Sequence, residues 1–112
     1  MSTIPTNVPI DSQGHCPDPD LIRSEVRALD LIVYELVPAM PGDDISAWEF
    51  VLFLTSKQGG GLLPLTLALP GGQHLSALVL PALAVGSYNV NLKIRNTGTG
   101  ETIVIDPVII RK

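Results

Sequence analysis

The chain has 112 residues and a mass of 11.9 kDa, which suits a single domain. Its 46% apolar content excludes disorder throughout the chain, and its net charge of −4 argues against nucleic-acid binding through a basic face. A single cysteine excludes an internal disulfide, and we expect no signal peptide because no Lys/Arg-rich start precedes an apolar stretch.

Residues 1–20 contain four prolines, which prevent a helix and favour extended chain. Two interpretations are open: a disordered terminus, or an extended arm that becomes ordered on a partner. We therefore divide the chain into an extended arm (1–20) and a β-sandwich domain (21–112). We expect the arm to contact another chain rather than to pack mainly on its own sandwich. Its candidate partner-binding residues are Ile4, Pro5, Val8, Pro9 and Ile10.

The segment that follows mixes helical and strand signals. Asp18-Pro19-Asp20 is typical of a helix start, so we predict a short helical turn near residues 20–27. Leu31-Ile32-Val33-Tyr34 is β-branched and aromatic, which predicts a strand near residues 29–37. The turn formers of residues 38–44 predict a loop.

From Trp48 onward the pattern is that of short strands. Alternation predicts one strand at residues 48–55, one at 63–69 and one around 75–79, separated by glycine and proline. The clearest strand follows Gly86, with Tyr88, Val90, Leu92 and Ile94 inward and the residues between them outward. Residues 96–100 predict a hairpin loop, and Pro107 marks an edge or bulge in the last strand.

Six or seven such strands predict an all-β fold, a small antiparallel sandwich of immunoglobulin-like or jelly-roll type. We expect the ring of Tyr88 inside and its hydroxyl on a backbone group. The predicted core is Trp48, Phe50, Leu52, Leu65, Leu67, Tyr88, Val90, Leu92, Ile103 and Ile105.

Charge is distributed unevenly along the chain. Residues 1–50 carry nine acids against two arginines, whereas residues 51–112 have a net charge of +3. Residues 58–92 carry no charge, but prolines and glycines break them into pieces too short to span a membrane. The missing charges instead suggest a surface that another molecule covers.

No residue pattern predicts catalysis or a cofactor. His15 and Cys16 lack the second Cys/His pair of a zinc site, and Cys16 lacks an oriented base. Gly59-Gly60-Gly61 is not followed by the Lys-Ser/Thr of a phosphate loop. We therefore expect a protein that is not an enzyme and holds no metal or cofactor. Carbohydrate binding remains an alternative, although the few aromatic residues mostly occupy inward positions.

From Asp30 onward, the chain resembles a small β-sandwich module of tailed-phage structural proteins. The resemblance rests on Asp43-Asp44-Ile45-Ser46-Ala47-Trp48, on Leu83-Ala84-Val85-Gly86-Ser87-Tyr88-Asn89-Val90-Asn91-Leu92-Lys93-Ile94, and on a Thr/Gly hairpin into Ile103-Val104-Ile105. It covers about two-thirds of the chain. Tail-fibre and baseplate proteins carry this module attached to other domains. A module of this length with a proline-rich arm resembles the capsid decoration, or staple, proteins of short-tailed phages such as the epsilon-type Salmonella phages.

This resemblance implies a structural virion protein on the outer capsid surface, assembled in the host cytoplasm. It implies that the chain cements neighbouring major capsid proteins, with further copies of itself as a second partner and with no nucleic acid or membrane. Two alternatives stay open: a glycan- or receptor-binding module, and a tail or baseplate adaptor.

Overall fold

The computed structural model describes residues 2–57, 66–81 and 83–112, and these residues form an all-β fold. A short 3-10 turn spans Pro19–Leu21, and none of the described residues forms an α-helix. Accordingly, that part of the chain holds no helix long and apolar enough to cross a membrane. The strands are β1 (Thr3–Ile10), β2 (Arg23–Val26), β3 (Leu31–Pro38), β4 (Trp48–Lys57), β5 (Thr66–Gly71), β6 (His74–Val79), β7 (Gly86–Asn96), β8 (Thr102–Ile105) and β9 (Val108–Arg111).

Two sheets form the sandwich. The first has the order β1-β3-β6-β5, and the second has the order β2-β9-β7-β4 with β8 also paired to β7. If β8 and β9 are taken as one interrupted strand, this arrangement matches the four-plus-three strand order of immunoglobulin-like sandwiches, with β2 added at one edge. The sandwich prediction is confirmed, but both sheets are mixed rather than purely antiparallel, because β1 pairs with β3 in parallel and β2 pairs with β9 in parallel. The strand order favours the immunoglobulin-like form over the jelly roll.

The N-terminal strand departs from that plan, because β1 runs parallel to β3 from Thr3↔Leu31 to Ile10↔Pro38. The carbonyls of Ser2 and Ile10 accept hydrogen bonds from Leu31 and Ala39, each at 2.8 Å. Even-numbered residues therefore direct their backbone groups toward β3, and odd-numbered residues direct theirs to the free edge. Pro5 and Pro9 are both odd-numbered, so the missing proline N–H groups cost this pairing nothing.

The core lies between the sheets, and most of the predicted core residues are buried there. Tyr88, Val90, Leu92 and Ile94 of β7 are all fully buried, as their alternation predicts. The Tyr88 hydroxyl donates to the carbonyl of Ala84 at 2.5 Å, which confirms the predicted hydroxyl-to-backbone contact. Trp48, Phe50 and Ile105 are also buried, Ile103 is partly buried, and the predictions for Leu65 and for the side chain of Leu67 lie outside the described residues.

Leu52 is the one described core prediction that is wrong, because 40% of it is exposed. The pairing of β4 with β7 shifts between Phe50 and Leu52, as at a β-bulge. The extra residue reverses the alternation, so Phe53 rather than Leu52 points inward and is only 7% exposed.

The predicted boundaries differ most in the first third of the chain. The helical turn predicted near residues 20–27 is only the 3-10 turn, and Arg23–Val26 forms a strand parallel to β9 instead. The strand predicted at residues 63–69 is observed from Thr66 to Gly71, and its first residues lie outside the described part. Pro107 lies in the break between β8 and β9, which both pair with β7, as its position predicts.

Candidate functional site

The five candidate partner-binding residues have different environments. Val8 and Ile10 are fully buried in the core of their own chain, and Ile4 packs against that core. Pro5 is exposed, and Pro9 is partly buried. This packing corrects the expectation that residues 1–20 lie apart from the sandwich: the even-numbered apolar side chains complete the core on the inner face of β1, and each buried one contributes about 1.5–3 kcal/mol.

The loop after β1 covers Trp48, which begins β4. Asp11 organises the loop, because its carboxylate accepts the backbone N–H groups of Gln13 at 2.9 Å and His15 at 3.0 Å. The Trp48 indole N–H donates to the Ser12 carbonyl at 3.1 Å. Gly14 has a φ of +83° and lies so close to the ring that a Cβ would sit 2.6 Å from two of its carbons. Glycine is therefore required there by backbone conformation and by space.

We call this end of the sandwich the Trp48 end, and it comprises loops 11–22, 39–47, 72–73 and 97–101. Side-chain and backbone contacts join these loops to one another. Thr97 donates its backbone N–H to the Ala47 carbonyl at 2.8 Å, and the Gln73 side-chain amide donates to the Ile45 carbonyl at 2.7 Å. Hydrogen bonds consequently hold the loops of the Trp48 end together, so that their exposed side chains have defined positions.

An apolar groove of about 370 Å³ opens on this end, beside the seam between β1 and β2. The end of β1, the 3-10 turn and the loop after β3 form its walls. Leu21 is 78% exposed and Met40 is 66% exposed, so the two largest apolar side chains at its rim are open to solvent. We call this feature the Leu21–Met40 groove, and its lining residues are Pro9, Pro17, Asp18, Leu21, Ile22, Ala39 and Met40.

Carboxylates lie in the loops that form the groove. Asp18 lines it and is exposed, and Asp43 accepts the backbone N–H of Met40 at 3.1 Å. Asp44 accepts hydrogen bonds from the backbone and hydroxyl of Ser46, which lowers the pKa of its carboxyl. Within the described part of the chain, no lysine or arginine forms a salt bridge with any of these three residues. Loops 11–22 and 39–47 contain no lysine or arginine, so negative charge predominates around the groove, with Arg23 directly after Ile22 as the nearest basic residue in sequence.

The opposite end, which we call the Asp30 end, comprises residues 27–30 and 80–85 with the start of β1 and the end of β9. Asp30 is only 7% exposed, and its carboxylate accepts the backbone N–H groups of Ser2 and Arg27, each at 2.9 Å. The Arg27 hydrogen bond is the main reason that the pKa of Asp30 is lowered. A more polar cavity of about 630 Å³ opens here, with Ile4, Arg27 and Lys112 in its lining.

Among the described residues, Cys16 and the two histidines are the remaining side chains with nucleophilic or metal-binding chemistry. Burial raises the pKa of the Cys16 thiol, and the side chain packs against the core. His15 Nδ1 lies 3.9 Å from Asp11 Oδ2 in the loop after β1. His74 Nε2 lies 3.5 Å from Glu35 Oε1 on the first sheet. No group of three metal-ligating side chains converges within residues 2–57, 66–81 and 83–112.

All five aromatic side chains lie among the described residues, and all are buried. Tyr34 packs against Phe53 with ring centroids 5.9 Å apart, and its hydroxyl is buried without a hydrogen-bond partner. Its burial raises the pKa of the phenol. The aromatic residues therefore belong to the core, and none presents a ring to solvent.

Of the predicted binding residues, only Pro9 lines the groove. Leu21 and Met40 were not predicted, although both are apolar residues placed among turn formers, where no strand alternation assigns them to the core. Large apolar side chains in a predicted turn are therefore the sequence feature that could have indicated an exposed binding surface. The fold is needed to bring residues 9, 17–22 and 39–40 together.

Comparison with protein-family models finds no family that matches this sequence. Comparison with curated proteins finds no relative of significant similarity.

Proposed function

We propose that this chain is a structural virion protein that decorates the outer capsid of a tailed phage and cements neighbouring major capsid proteins. The resemblance of residues 43–48 and 83–94 to phage sandwich modules supports this proposal, as does the β-sandwich fold. Within the sandwich, both segments are structural: the first enters β4 at Trp48, and the second forms the corner contact of Tyr88 with Ala84.

One observation carries the protein-binding part of the proposal, which is the exposed apolar rim of the Leu21–Met40 groove. Large side chains exposed at a concave apolar surface mark interaction sites more often than single exposed residues do. Leu21 and Met40 expose 78% and 66% of their surface while their neighbour Ile22 is buried. Because the loops around them are held by hydrogen bonds, this surface is available without a large ordering cost.

The mechanism that follows does not use an extended arm. With Val8 and Ile10 committed to their own core, the N-terminal strand is part of the rigid body, and the groove is the contact surface. A rigid module that binds only the assembled shell stabilises that shell by mass action, and many copies multiply the effect. Cementing then needs only modest affinity at each site.

The test is a heat challenge of phage particles assembled with and without this protein. Particles that carry it are expected to retain DNA at temperatures that open bare particles, and adding the purified chain back should restore the resistance. Equal resistance of both kinds of particle would contradict the cementing role. Gel densitometry of the same particles separates decoration, with hundreds of copies, from a tail or baseplate adaptor with a few to a dozen.

The glycan-binding alternative requires aromatic faces that a sugar can stack against. Trp48 is 2% exposed, and the other four aromatic residues are also buried. That alternative has no supporting observation in the described residues, and we do not propose it as a second function.

A further inference from the structure

We infer that the Leu21–Met40 groove binds an extended segment of the capsid partner in which one bulky aliphatic side chain is followed directly by Lys or Arg. The inference rests on the proposed function, since it specifies the chemistry of the partner at that same surface. It follows from three properties of the groove: its apolar walls, the two prolines in its lining, and the charge around it.

The walls select an aliphatic anchor. Ile22 closes the bottom of the groove and is only 5% exposed, while Leu21 and Met40 form the rim. A volume of about 370 Å³ is at the small end of ligand sites. This volume is larger than one aliphatic side chain, so a bulky aliphatic anchor fits it together with adjacent atoms of an extended segment.

Side chains rather than a β-ladder must hold the segment. Pro9 and Pro17 line the groove and have no backbone N–H. On the free edge of β1, Pro5 and Pro9 also interrupt the row of outward donors. An added strand would find no donor at these positions, so β-augmentation is disfavoured here.

Charge selects the residue next to the anchor. Among the described residues, Asp18 is the one charged residue that lines the groove, and the Asp43 carboxylate accepts the backbone N–H of Met40. An incoming Lys or Arg would complement these carboxylates, and an incoming acidic segment would be repelled. The groove therefore distinguishes a basic aliphatic segment from an acidic one of the same shape.

A second copy of this chain is a poorer occupant. The aliphatic residues that directly precede its described basic residues are buried in the core (Ile22, Val26, Leu92 and Ile94) or, in the case of Ile110, lie in β9, which is paired with β2 on one side and with β7 on the other. These neighbours are unavailable as anchors unless the donor sandwich unfolds. The occupant is consequently a segment of a different protein.

The experiment is an NMR titration of the full chain, isotope-labelled at backbone amides and methyl groups, with three synthetic peptides. The probe is acetyl-Gly-Ser-Leu-Lys-Arg-Gly-amide. One control replaces Lys-Arg by Glu-Glu, and the other replaces Leu by Ser. Saturable shifts of the Leu21 and Met40 methyl groups are expected with the probe alone, and the affinity should weaken several-fold when salt is raised to about 0.5 M.

Two matched variants locate the site. Met40→Glu should weaken binding of the probe at least tenfold, and Val85→Glu should leave it unchanged, because Val85 is 69% exposed but lies at the Asp30 end. Asp18→Asn should weaken binding and reduce its salt dependence. Thermal unfolding of each variant establishes that it is folded. Equal binding of the Glu-Glu peptide, equal loss in Val85→Glu, or methyl shifts that follow protein concentration without peptide would overturn the inference.

Particle binding by the same variants separates this inference from the proposed function. We expect the wild type and Val85→Glu to bind particles, and we expect Met40→Glu to lose particle binding. If Met40→Glu binds particles as well as the wild type, the groove assignment is wrong and the decoration role stands. If the wild type binds no particles but binds the probe in the groove, the decoration role is wrong and the peptide specificity stands.

Discussion

The two ends of this sandwich are closed in different ways. At the Trp48 end, long loops fold over an indole ring, and Gly14 lies against that ring with no room for a side chain. At the Asp30 end, residues 27–30 form a short turn in which a buried carboxylate accepts two backbone N–H groups. Both ends have carboxylates that accept backbone N–H groups, but only the Trp48 end is packed around a buried ring and only the Asp30 end depends on a buried carboxylate, so the two should respond to different perturbations.

The N-terminal segment is the element that the two ends share. Ser2 donates to the Asp30 carboxylate at one end, and the Ser12 carbonyl accepts the Trp48 indole N–H at the other. Between them, β1 pairs with β3 along its whole length. A strand whose outer edge pairs with none of the described strands thus connects both closures.

Deletion of residues 1–20 has the largest expected effect, because it breaks both ends together. It removes β1 with the buried side chains of Val8 and Ile10, uncovers Trp48 and leaves the Asp30 carboxylate short of a donor. We expect the truncated chain not to fold, as measured by the loss of a cooperative thermal transition in circular dichroism. A truncated chain that melts near the wild-type temperature would show that the segment is an independent arm.

Trp48→Ala tests the Trp48 end alone. Loss of a buried tryptophan is expected to lower the free energy of unfolding by about 3–5 kcal/mol in urea denaturation. Leu83→Ala is the control, since Leu83 is buried at the other end and its loss should cost about 2–5 kcal/mol. Only Trp48→Ala should speed amide exchange in residues 13–15, and equal acceleration by both variants would remove the distinction between the ends.

Gly14→Ala sharpens the claim that shape closes the Trp48 end. The added Cβ meets the indole ring in a left-handed backbone conformation, so the cost should be roughly 2–4 kcal/mol. Gly42 provides the comparison, because it has a φ of +96° but no atom within 4 Å of an added Cβ. Gly42→Ala should cost only about 1 kcal/mol. Equal losses in the two variants would show that ring contact contributes nothing.

The smallest expected effect is on the pH dependence of the free energy of unfolding, to which Asp30 at one end and Asp44 at the other contribute differently. The folded-state pKa is lowered for both Asp30 and Asp44, so the stability they contribute is present above about pH 4. That stability is lost as the pH falls through the lowered folded pKa values. Asp30→Asn should flatten the acid branch of the stability curve more than Asp44→Asn, because Asp30 is buried and Asp44 is exposed. Urea denaturation between pH 2 and pH 7 is the measurement, and the reverse ranking would contradict it.

Much of the second sheet follows from the sequence. Residues 88–95 of β7 alternate strictly between apolar and polar, which predicts a strand with one buried face. The strand is paired on both sides, and its four inward residues are all fully buried. Leu52 was misplaced because a bulge needs only one extra residue and leaves no mark in the apolar pattern. Alternation therefore predicts which strands exist better than it predicts where their phase changes.

The prediction that the N-terminal segment lies apart from the sandwich is wrong for a different reason. Four prolines in twenty residues favour an arm if each is taken as a barrier to pairing. The prolines of β1 occupy odd positions and its apolar residues even ones, so the donors that are missing face away from β3. The phase of the prolines, rather than their number, carries the information. The groove could not be predicted from the sequence, because only the fold brings together the three separate segments that form its walls.

Amide hydrogen exchange of β1 tests the central claim most directly, namely that residues 3–10 form a strand of the sandwich. The backbone groups of Ile4, Thr6, Val8 and Ile10 face β3, whereas Thr3 and Asn7 face the free edge. We expect slow exchange at the four even positions, comparable with that of β3, and fast exchange at Thr3 and Asn7. Fast exchange at all six amides would contradict the account and return the segment to the role of a free arm.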